Sequence, residues 1–138
     1  MFITRRVEFS ASHVCRNPKL SEEENRALFG AAANPYGHGH NYVLEVTVEG
    51  TPDPVTGMVL DLKHLKEILQ REVVDPYDHR FLNREVPPFD RVIPTGENVA
   101  VEIWKRLYPH LSGQRGRLHA IRLYETPDLY VDYFGDPA

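Results

Sequence analysis

The chain has 138 residues, of which 41% are hydrophobic, and its formal net charge is −4. This length predicts one domain over residues 1–138 with a sizeable core, and the acidic balance argues against nucleic-acid and anionic-membrane partners. No apolar run approaches the roughly 20 residues that span a bilayer, and no apolar segment follows Arg5 and Arg6 as a signal peptide requires. The single cysteine, Cys15, favours a cytoplasmic, reducing compartment.

The first half of the chain predicts strands separated by a short helix. Apolar residues among polar ones predict a strand over Met1 to His13. Ser21 begins a capping box, which predicts a helix from Glu22 to about Phe29. A long second strand is predicted from His38 to Glu49. Met58 to Leu60 follows a turn segment and is predicted to be the returning strand of a hairpin.

The second half predicts two helices and two closing strands. Apolar residues at helical spacing predict a helix over Asp61 to Val74. Asp75 to Asp90 is proline-rich and is predicted to be a long loop. Thr95 is the expected N-cap of a helix through about Tyr108. Leu118 to Glu125 and Leu129 to Phe134 complete an α+β domain with an antiparallel sheet, whose open edges often pair with another subunit.

Two histidines on alternate residues form the strongest candidate site. His38 and His40 lie in Gly37-His38-Gly39-His40-Asn41-Tyr42, and alternate residues of a strand share one face. Converging neutral imidazoles suit a metal ion, most commonly Zn²⁺, and glycines let the backbone approach closely. His13 is a candidate third ligand, which would leave a fourth position open as in catalytic zinc sites. The alternatives are surface histidines on a strand end and, for His13, a core residue.

Other side chains have a functional and a structural interpretation. Asp78-His79 is either a general acid/base pair or a loop cap. Glu125 is either surface charge or an acceptor of two hydrogen bonds from the amino-NH edge of a ligand. Thr95, within Thr95-Gly96-Glu97-Asn98, favours helix capping. Cys15 is either an activated thiol or a small buried apolar residue. The remaining histidines are predicted surface residues: His64, His110 and His119.

These motifs belong to an ordered set that extends over nearly the whole chain. The set comprises Phe9-Ser10-Ala11-Ser12-His13, Leu20-Ser21-Glu22-Glu23-Glu24-Asn25, Phe29-Gly30, Asn34-Pro35, Gly37 to Tyr42, Asp53 to Val59, Leu62-Lys63, Asp78-His79, Thr95 to Ala100 and Tyr124-Glu125-Thr126. In this order the set resembles the 6-pyruvoyl-tetrahydropterin synthases and the related 6-carboxy-tetrahydropterin synthases. The longer, animal-like 6-pyruvoyl form is the nearer of the two.

The resemblance implies a tunnelling fold, a four-stranded antiparallel sheet with two helices on one face. It also implies a homo-hexamer, in which two trimeric barrels stack. The implied activity is that of a lyase in tetrahydrobiopterin biosynthesis, which eliminates triphosphate from 7,8-dihydroneopterin triphosphate and gives 6-pyruvoyl-tetrahydropterin. The implied site residues are the Zn²⁺ ligands His13, His38 and His40, the proton-transfer pair Asp78 and His79, and the pterin anchor Glu125, with Thr95 and Glu97 nearby.

One position departs from the family. The family's catalytic cysteine lies six residues before the first histidine of His-x-His, which is Ala32 here, and the 6-carboxy enzymes place theirs at the position of Asn34. Neither side chain titrates, and loss of a positioned base typically costs about 10²–10⁴-fold in rate. Three interpretations stay open. In the first, the alanine is an engineered change. In the second, another group acts as the base, with Cys15, Glu23 and Glu24 as candidates. In the third, the protein catalyses a different reaction, such as 6-carboxy-type side-chain cleavage, or only binds a pterin.

Overall fold

The computed structural model shows a five-stranded sheet with helices packed against it, and it describes residues 1–113 and 116–136. The strands and α-helices are, in chain order, β1 Phe2–His13, α1 Glu22–Phe29, β2 His38–Glu49, α2 Leu62–Leu69, α3 Asp75–Tyr77, β3 Arg80–Phe81, α4 Leu82–Glu85, α5 Gly96–Leu107, β4 Arg117–Thr126 and β5 Leu129–Tyr133. Short 3-10 helices cover Gly30–Ala33 and Tyr108–His110, and a π-helical segment, Gln70–Val74, joins α2 to α3.

The sheet has the strand order β3-β1-β2-β4-β5. The four long strands pair antiparallel in chain order, β1 with β2, β2 with β4 and β4 with β5. This confirms the predicted four-stranded antiparallel sheet. The fifth strand, β3, is only two residues long and pairs in parallel with the end of β1, at Ala11 and Ser12. It was not predicted, because two residues are too few to show a strand period.

The core lies between one face of the sheet and the helices α2 and α5. On β2 the residues Tyr42, Leu44, Val46 and Val48 are fully buried, while the residues between them are not. Both helices contribute their apolar stripes to the same cluster, including Leu65, Ile68 and Leu69 from α2 and Val99, Ile103 and Leu107 from α5. The two main helices therefore cover one face of the sheet, as the resemblance implied.

The segment Met58 to Leu60 is not a strand, so the predicted hairpin is wrong. β2 already pairs with β1 on one side and with β4 on the other, so it offers no free edge to a returning strand. The chain instead forms a closed turn in which the Asp53 N–H donates to the Met58 carbonyl at 2.9 Å. Gly57 takes a positive φ of 73° in this turn, a conformation that favours glycine.

The predicted long loop from Asp75 to Asp90 is also wrong. It contains α3, β3 and α4, and its apolar residues Tyr77, Leu82, Val86 and Phe89 are buried. Pro76 lies one residue before the end of the continuous helical run formed by α2, the π-helical segment and α3, so little helix follows it. The buried positions follow neither a helical nor a strand period, so the sequence pattern did not reveal these short elements.

Both predicted helix caps are confirmed. The Ser21 hydroxyl accepts a hydrogen bond from the Glu24 N–H, and the Glu24 side chain accepts one from the Ser21 N–H, which completes the capping box. Thr95 caps α5 by accepting from the Asn98 N–H. Within the described part of the chain, no helix combines the length and the apolar composition needed to cross a membrane.

Candidate functional site

Three histidine side chains converge where β1 ends and β2 begins. His13 lies opposite His38 in the antiparallel ladder, and His40 lies two residues further along β2. Nε2 of His13 is 3.0 Å from Nε2 of His38 and 3.1 Å from Nε2 of His40. The structure thus brings together the three histidines that the sequence singles out.

His13 is fully buried, and a backbone carbonyl group fixes the orientation of its ring. Its Nδ1 lies 2.7 Å from the carbonyl oxygen of Pro94, and since a carbonyl only accepts, Nδ1 carries a proton and donates it. Burial by itself would lower the pKa of His13, but its contacts with Cys15, Glu125 and Pro94 raise it to about 10. Without a metal ion, His13 is therefore an imidazolium at neutral pH.

A carboxylate completes the cluster. Oε1 of Glu125 lies 3.2 Å from Nε2 of His13 and 3.2 Å from Nε2 of His40. The hydrogen bond from His13 lowers the pKa of Glu125 against the opposing effect of burial. Burial lowers the pKa of His38 and of His40. One ligand atom from each of the four side chains lies within 4.8 Å of the others, which is close enough to hold one metal ion.

Glu125 is aimed at the histidines by an irregularity in the sheet. The pairing of β4 with β5 shifts between Tyr124 and Thr126, and such a shift re-aims the intervening side chain. The start of α5 lies beside the carboxylate, because a Cβ atom built on Gly96 would be 3.7 Å from Oε2 of Glu125. The partial positive charge at a helix N-terminus stabilises a carboxylate there.

Asp78 and His79 form a pair anchored to β1. Oδ1 of Asp78 accepts the Ser10 N–H at 2.8 Å, and the His79 N–H donates to the Ser10 carbonyl at 2.6 Å. Oδ2 of Asp78 lies 2.9 Å from Nδ1 of His79. The Ser10 N–H and then His79 lower the pKa of Asp78. His79 has a positive φ of 60°, and its side chain is mostly exposed, so the pair presents an imidazole to solvent.

A cavity of about 510 Å³ lies beside the histidine cluster and contains His40, His79 and Arg80 among its lining residues. Its lining includes Ser10, Ser12 and Asn41, which alternate with the inward-facing strand residues, and does not include His13, His38 or Glu125, so within one chain it does not join His79 to the ligand atoms of the cluster. Arg80 adds a positive charge there, and its guanidinium lies 3.5 Å from Glu85. Sequence reasoning missed Arg80, because a lone arginine in a presumed loop has no distinguishing spacing.

The segment that begins α5 contributes to the site through its backbone. Thr95 is the N-cap of α5 and Glu97 is exposed in the first turn. The neighbouring Pro94 carbonyl holds His13, and Gly96 makes room for Glu125. Sequence reasoning missed Pro94, since the carbonyl group is common to every residue and carries no signal.

Cys15 lies against the Nδ1 edge of the His13 ring. Its sulfur is buried, 3.8 Å from Nδ1 of His13 and 3.7 Å from the Pro94 carbonyl. The ligand atoms converge on Nε2, at the opposite edge of the imidazole, so the thiol does not face them. The Cys15 N–H donates to the carbonyl of Ala32 at 2.8 Å, which fixes the position of the 3-10 helix that carries Ala32.

The other proposed bases lie on α1. Glu24 is engaged in the capping box with Ser21, and Glu23 is exposed. Among the remaining histidines, His64 and His110 are exposed, and His119 is half-buried with Nδ1 3.6 Å from Glu49. These positions fit surface roles.

Comparison with known proteins places this arrangement in a family. The family description "6-pyruvoyl tetrahydropterin synthase" matches residues 2–136. The chain is 47% identical to the 6-pyruvoyl tetrahydrobiopterin synthase of Pongo abelii and 46% identical to that of Homo sapiens, over 97% of this chain and 91% of each relative. The structure of Caenorhabditis elegans 6-pyruvoyl tetrahydropterin synthase matches with a TM-score of 0.92 and 38% identity, over 99% of this chain and 96% of that one. The chain thus belongs to the 6-pyruvoyl tetrahydropterin synthase family of lyases.

Proposed function

We propose that this protein is a zinc-dependent lyase that converts 7,8-dihydroneopterin triphosphate to 6-pyruvoyl-tetrahydropterin with elimination of triphosphate. The observation that carries the proposal is the convergence of Nε2 of His13, His38 and His40. Family membership supplies the reaction type.

The donor set fits Zn²⁺. With zinc–nitrogen bonds of about 2.0–2.1 Å, the ligands of a tetrahedral ion lie roughly 3.3 Å apart, and the observed Nε2 separations are 3.0 and 3.1 Å. The hydrogen bond from Nδ1 of His13 to Pro94 orients Nε2 toward the other histidines, a support typical of metal-binding histidines. When bound, zinc would act as a Lewis acid on the hydroxyls of the substrate side chain and acidify the neighbouring C–H bonds.

The protein's own groups would bind the ring and move protons. Glu125 would accept hydrogen bonds from the amino-NH edge of the pterin, and Thr95 and Glu97 flank Gly96, which lies beside Glu125. The ionised Asp78 would orient His79 and stabilise its charged form, so that His79 can take up and return a proton.

Arg80 supplies a candidate contact for the leaving triphosphate. Its guanidinium lines the same cavity as His40 and His79, and a guanidinium recognises phosphate oxygens through two parallel N–H groups.

Turnover of 7,8-dihydroneopterin triphosphate by the zinc-loaded protein tests the proposal directly. We expect release of triphosphate together with a product that retains the three-carbon side chain as the pyruvoyl group. The His79→Ala variant serves as the matched control for proton transfer, and a rate lower by about 10²–10⁴-fold is expected. Zinc-loaded protein that releases no triphosphate and leaves the side chain intact would contradict the proposal.

Ala32 favours a second candidate, a pterin-binding homologue without lyase activity. This candidate predicts tight pterin binding that weakens sharply in the Glu125→Ala variant, with an unchanged ligand recovered afterwards. Cleavage of the side chain, as in 6-carboxy-tetrahydropterin synthases, is distinguished from both by loss of side-chain carbons in the product. Mass analysis of the recovered pterin separates the three outcomes.

We further propose a single-domain subunit that assembles as a homo-hexamer in the cytoplasm. The edge strand β5 and the residue after it expose apolar side chains, since Leu129, Tyr130 and Phe134 are 54%, 46% and 63% exposed. An exposed apolar edge strand favours pairing with another subunit. The single buried cysteine suits a reducing compartment.

Zinc uptake is expected to release about one proton per ion near pH 7.5. The pKa of His13 is about 10, so this imidazole is protonated there and must lose its proton to become a ligand. His38 and His40, whose pKa values are lowered, are already neutral. Apparent zinc affinity should therefore rise about tenfold per pH unit between pH 7 and 9. Calorimetric titrations in buffers of different ionisation enthalpy measure the proton count, and release of no proton would contradict the expectation.

A further inference from the structure

We propose that the sheet face opposite the helices carries a second ligand site, which takes a planar ring with an amino-NH edge and an oxo group. Pterins and guanine share this chemistry, since both contain a 2-amino-4-oxopyrimidine ring. The inference does not rest on the proposed reaction, because it uses neither the histidine cluster nor the Asp78-His79 pair.

The side chains that alternate with the core residues of the strands form this open face. It includes Arg6 on β1, Val43 and Glu45 on β2 and Tyr124 on β4. The helices α2 and α5 pack on the other face. Pairing of a sheet edge with another subunit would not cover the open face, since strand pairing extends a sheet sideways. The face is therefore available to a ligand.

Glu45 is the one charge in its row of the open face that has no partner. In the strand register it lies between Arg6 on β1 and Arg122 on β4. Arg122 instead donates two N–H groups to Asp132, at 2.7 and 3.0 Å. The guanidinium of Arg6 lies 3.5 Å from Glu8. Among the residues that the structure describes, none forms an ion pair or hydrogen bond with the half-buried Glu45 carboxylate, which favours a ligand that donates N–H groups.

A cavity of about 320 Å³ opens beside Glu45. This is near the lower end of the range for small-molecule sites, about 300–1,000 Å³. Val43, Tyr124 and Pro127 supply apolar walls. The Tyr124 ring is held against Tyr130, with ring centroids 5.1 Å apart, and presents a fixed surface to the cavity. A planar heterocycle stacks favourably on such a ring.

The same cavity offers donors for an oxo group. Oδ1 of Asn41 accepts the Ser10 hydroxyl at 2.6 Å, so the side-chain NH₂ of Asn41 remains free to donate. Arg6 also lines the cavity and is a second donor. The acceptor at Glu45 and these donors match the amino-NH edge and the oxo group of one ring. Adenine lacks the oxo group and does not match.

The cavity and the histidine cluster lie on opposite faces of the sheet. Asn41 follows His40 on β2, and Tyr124 precedes Glu125 on β4. Consecutive residues of a strand point to opposite faces. A ring stacked on Tyr124 is therefore separated from the candidate metal ligands by the sheet and leaves them accessible.

The test counts the unsubstituted pterin bound per chain of zinc-loaded protein by equilibrium dialysis. We expect Glu45→Gln to weaken binding at this site about 10- to 100-fold, as expected for loss of hydrogen bonds to a charged group. Tyr124→Leu should weaken it about fivefold or more through lost stacking. Glu67→Gln removes an exposed carboxylate from α2 and should leave binding unchanged. Thermal unfolding of each variant checks that it is folded.

Competition with nucleosides identifies the ring that the site accepts. Guanosine that displaces the Glu45-dependent pterin shows that guanine compounds are ligands, and guanosine that does not displace it restricts the site to pterins. Displacement by adenosine as strong as that by guanosine would overturn the inference.

Equal pterin binding by the unchanged protein and by Glu45→Gln would also overturn it. Failure of the proposed reaction has a different signature, which is no triphosphate release from a protein whose pterin binding still depends on Glu45.

Discussion

Replacing Ala32 with cysteine is expected to raise turnover of 7,8-dihydroneopterin triphosphate by about 10²–10⁴-fold, the usual contribution of a positioned proton-transfer group. By the resemblance, position 32 is where the family's catalytic cysteine is expected. Ala32 is half-buried in the 3-10 helix Gly30–Ala33, and its carbonyl accepts a hydrogen bond from the Cys15 N–H. The backbone that would carry the thiol is therefore fixed. The measurement is the rate of triphosphate release at saturating substrate, with zinc content checked for each protein.

Ala31→Cys is the matched control for this variant, since it places a thiol on the adjacent, exposed residue. It should leave turnover unchanged. Cys15→Ser should also change turnover little, because the Cys15 sulfur contacts the Nδ1 edge of His13 rather than the Nε2 edge. Equal rates for Ala32→Cys and the unchanged protein would show that the protein already uses another base, and abolished turnover in Cys15→Ser would identify Cys15 as that base.

Replacing His40 with alanine is expected to weaken zinc binding by about 10²–10³-fold. Apparent binding free energies of roughly 10–16 kcal/mol for structural zinc sites, divided over four ligands, give about 2.5–4 kcal/mol per ligand, and 1.4 kcal/mol corresponds to a factor of about 10. His40 contacts both His13 and Glu125 through Nε2, so its removal takes away one corner of the cluster. Competition with a chelator of known affinity measures the loss.

His64→Ala serves as the control, because His64 is exposed on α2. Its zinc affinity should match that of the unchanged protein. If His40→Ala retained full zinc affinity, His40 would not be a ligand, and the metal site would have to be sought elsewhere. Thermal unfolding without metal shows whether the variant is folded, since His40 itself is only partly buried.

The structure also narrows the interpretations that Ala32 leaves open. Cys15 is buried against the back of His13 and Glu24 is engaged in its capping box, so neither faces the point where the ligand atoms converge. His79 has a mostly exposed side chain, so it is not excluded by burial as Cys15 is.

The sequence by itself determined the long elements and the main site candidates. Strand alternation located β1 and β2, apolar residues at helical spacing located α2 and α5, and the caps at Ser21 and Thr95 set the helix starts. These signals are local, because the side-chain period and the cap both depend on neighbours in the chain. For the same reason the sequence singled out His38 and His40, which share one face of one strand.

Only the tertiary structure decided which distant groups meet. The pairing of β1 with β2 brought His13 against His38, and the register shift beside β5 aimed Glu125 at both His13 and His40. The tertiary structure also brings the Pro94 carbonyl into contact with His13, and its strand order leaves no free strand edge for Met58 to Leu60 to pair with. Such contacts depend on strand order, on register and on backbone carbonyls that every residue carries. None of these has a local period in the amino-acid sequence, so the sequence offered His13 only as a candidate ligand and gave no sign of the Pro94 contact.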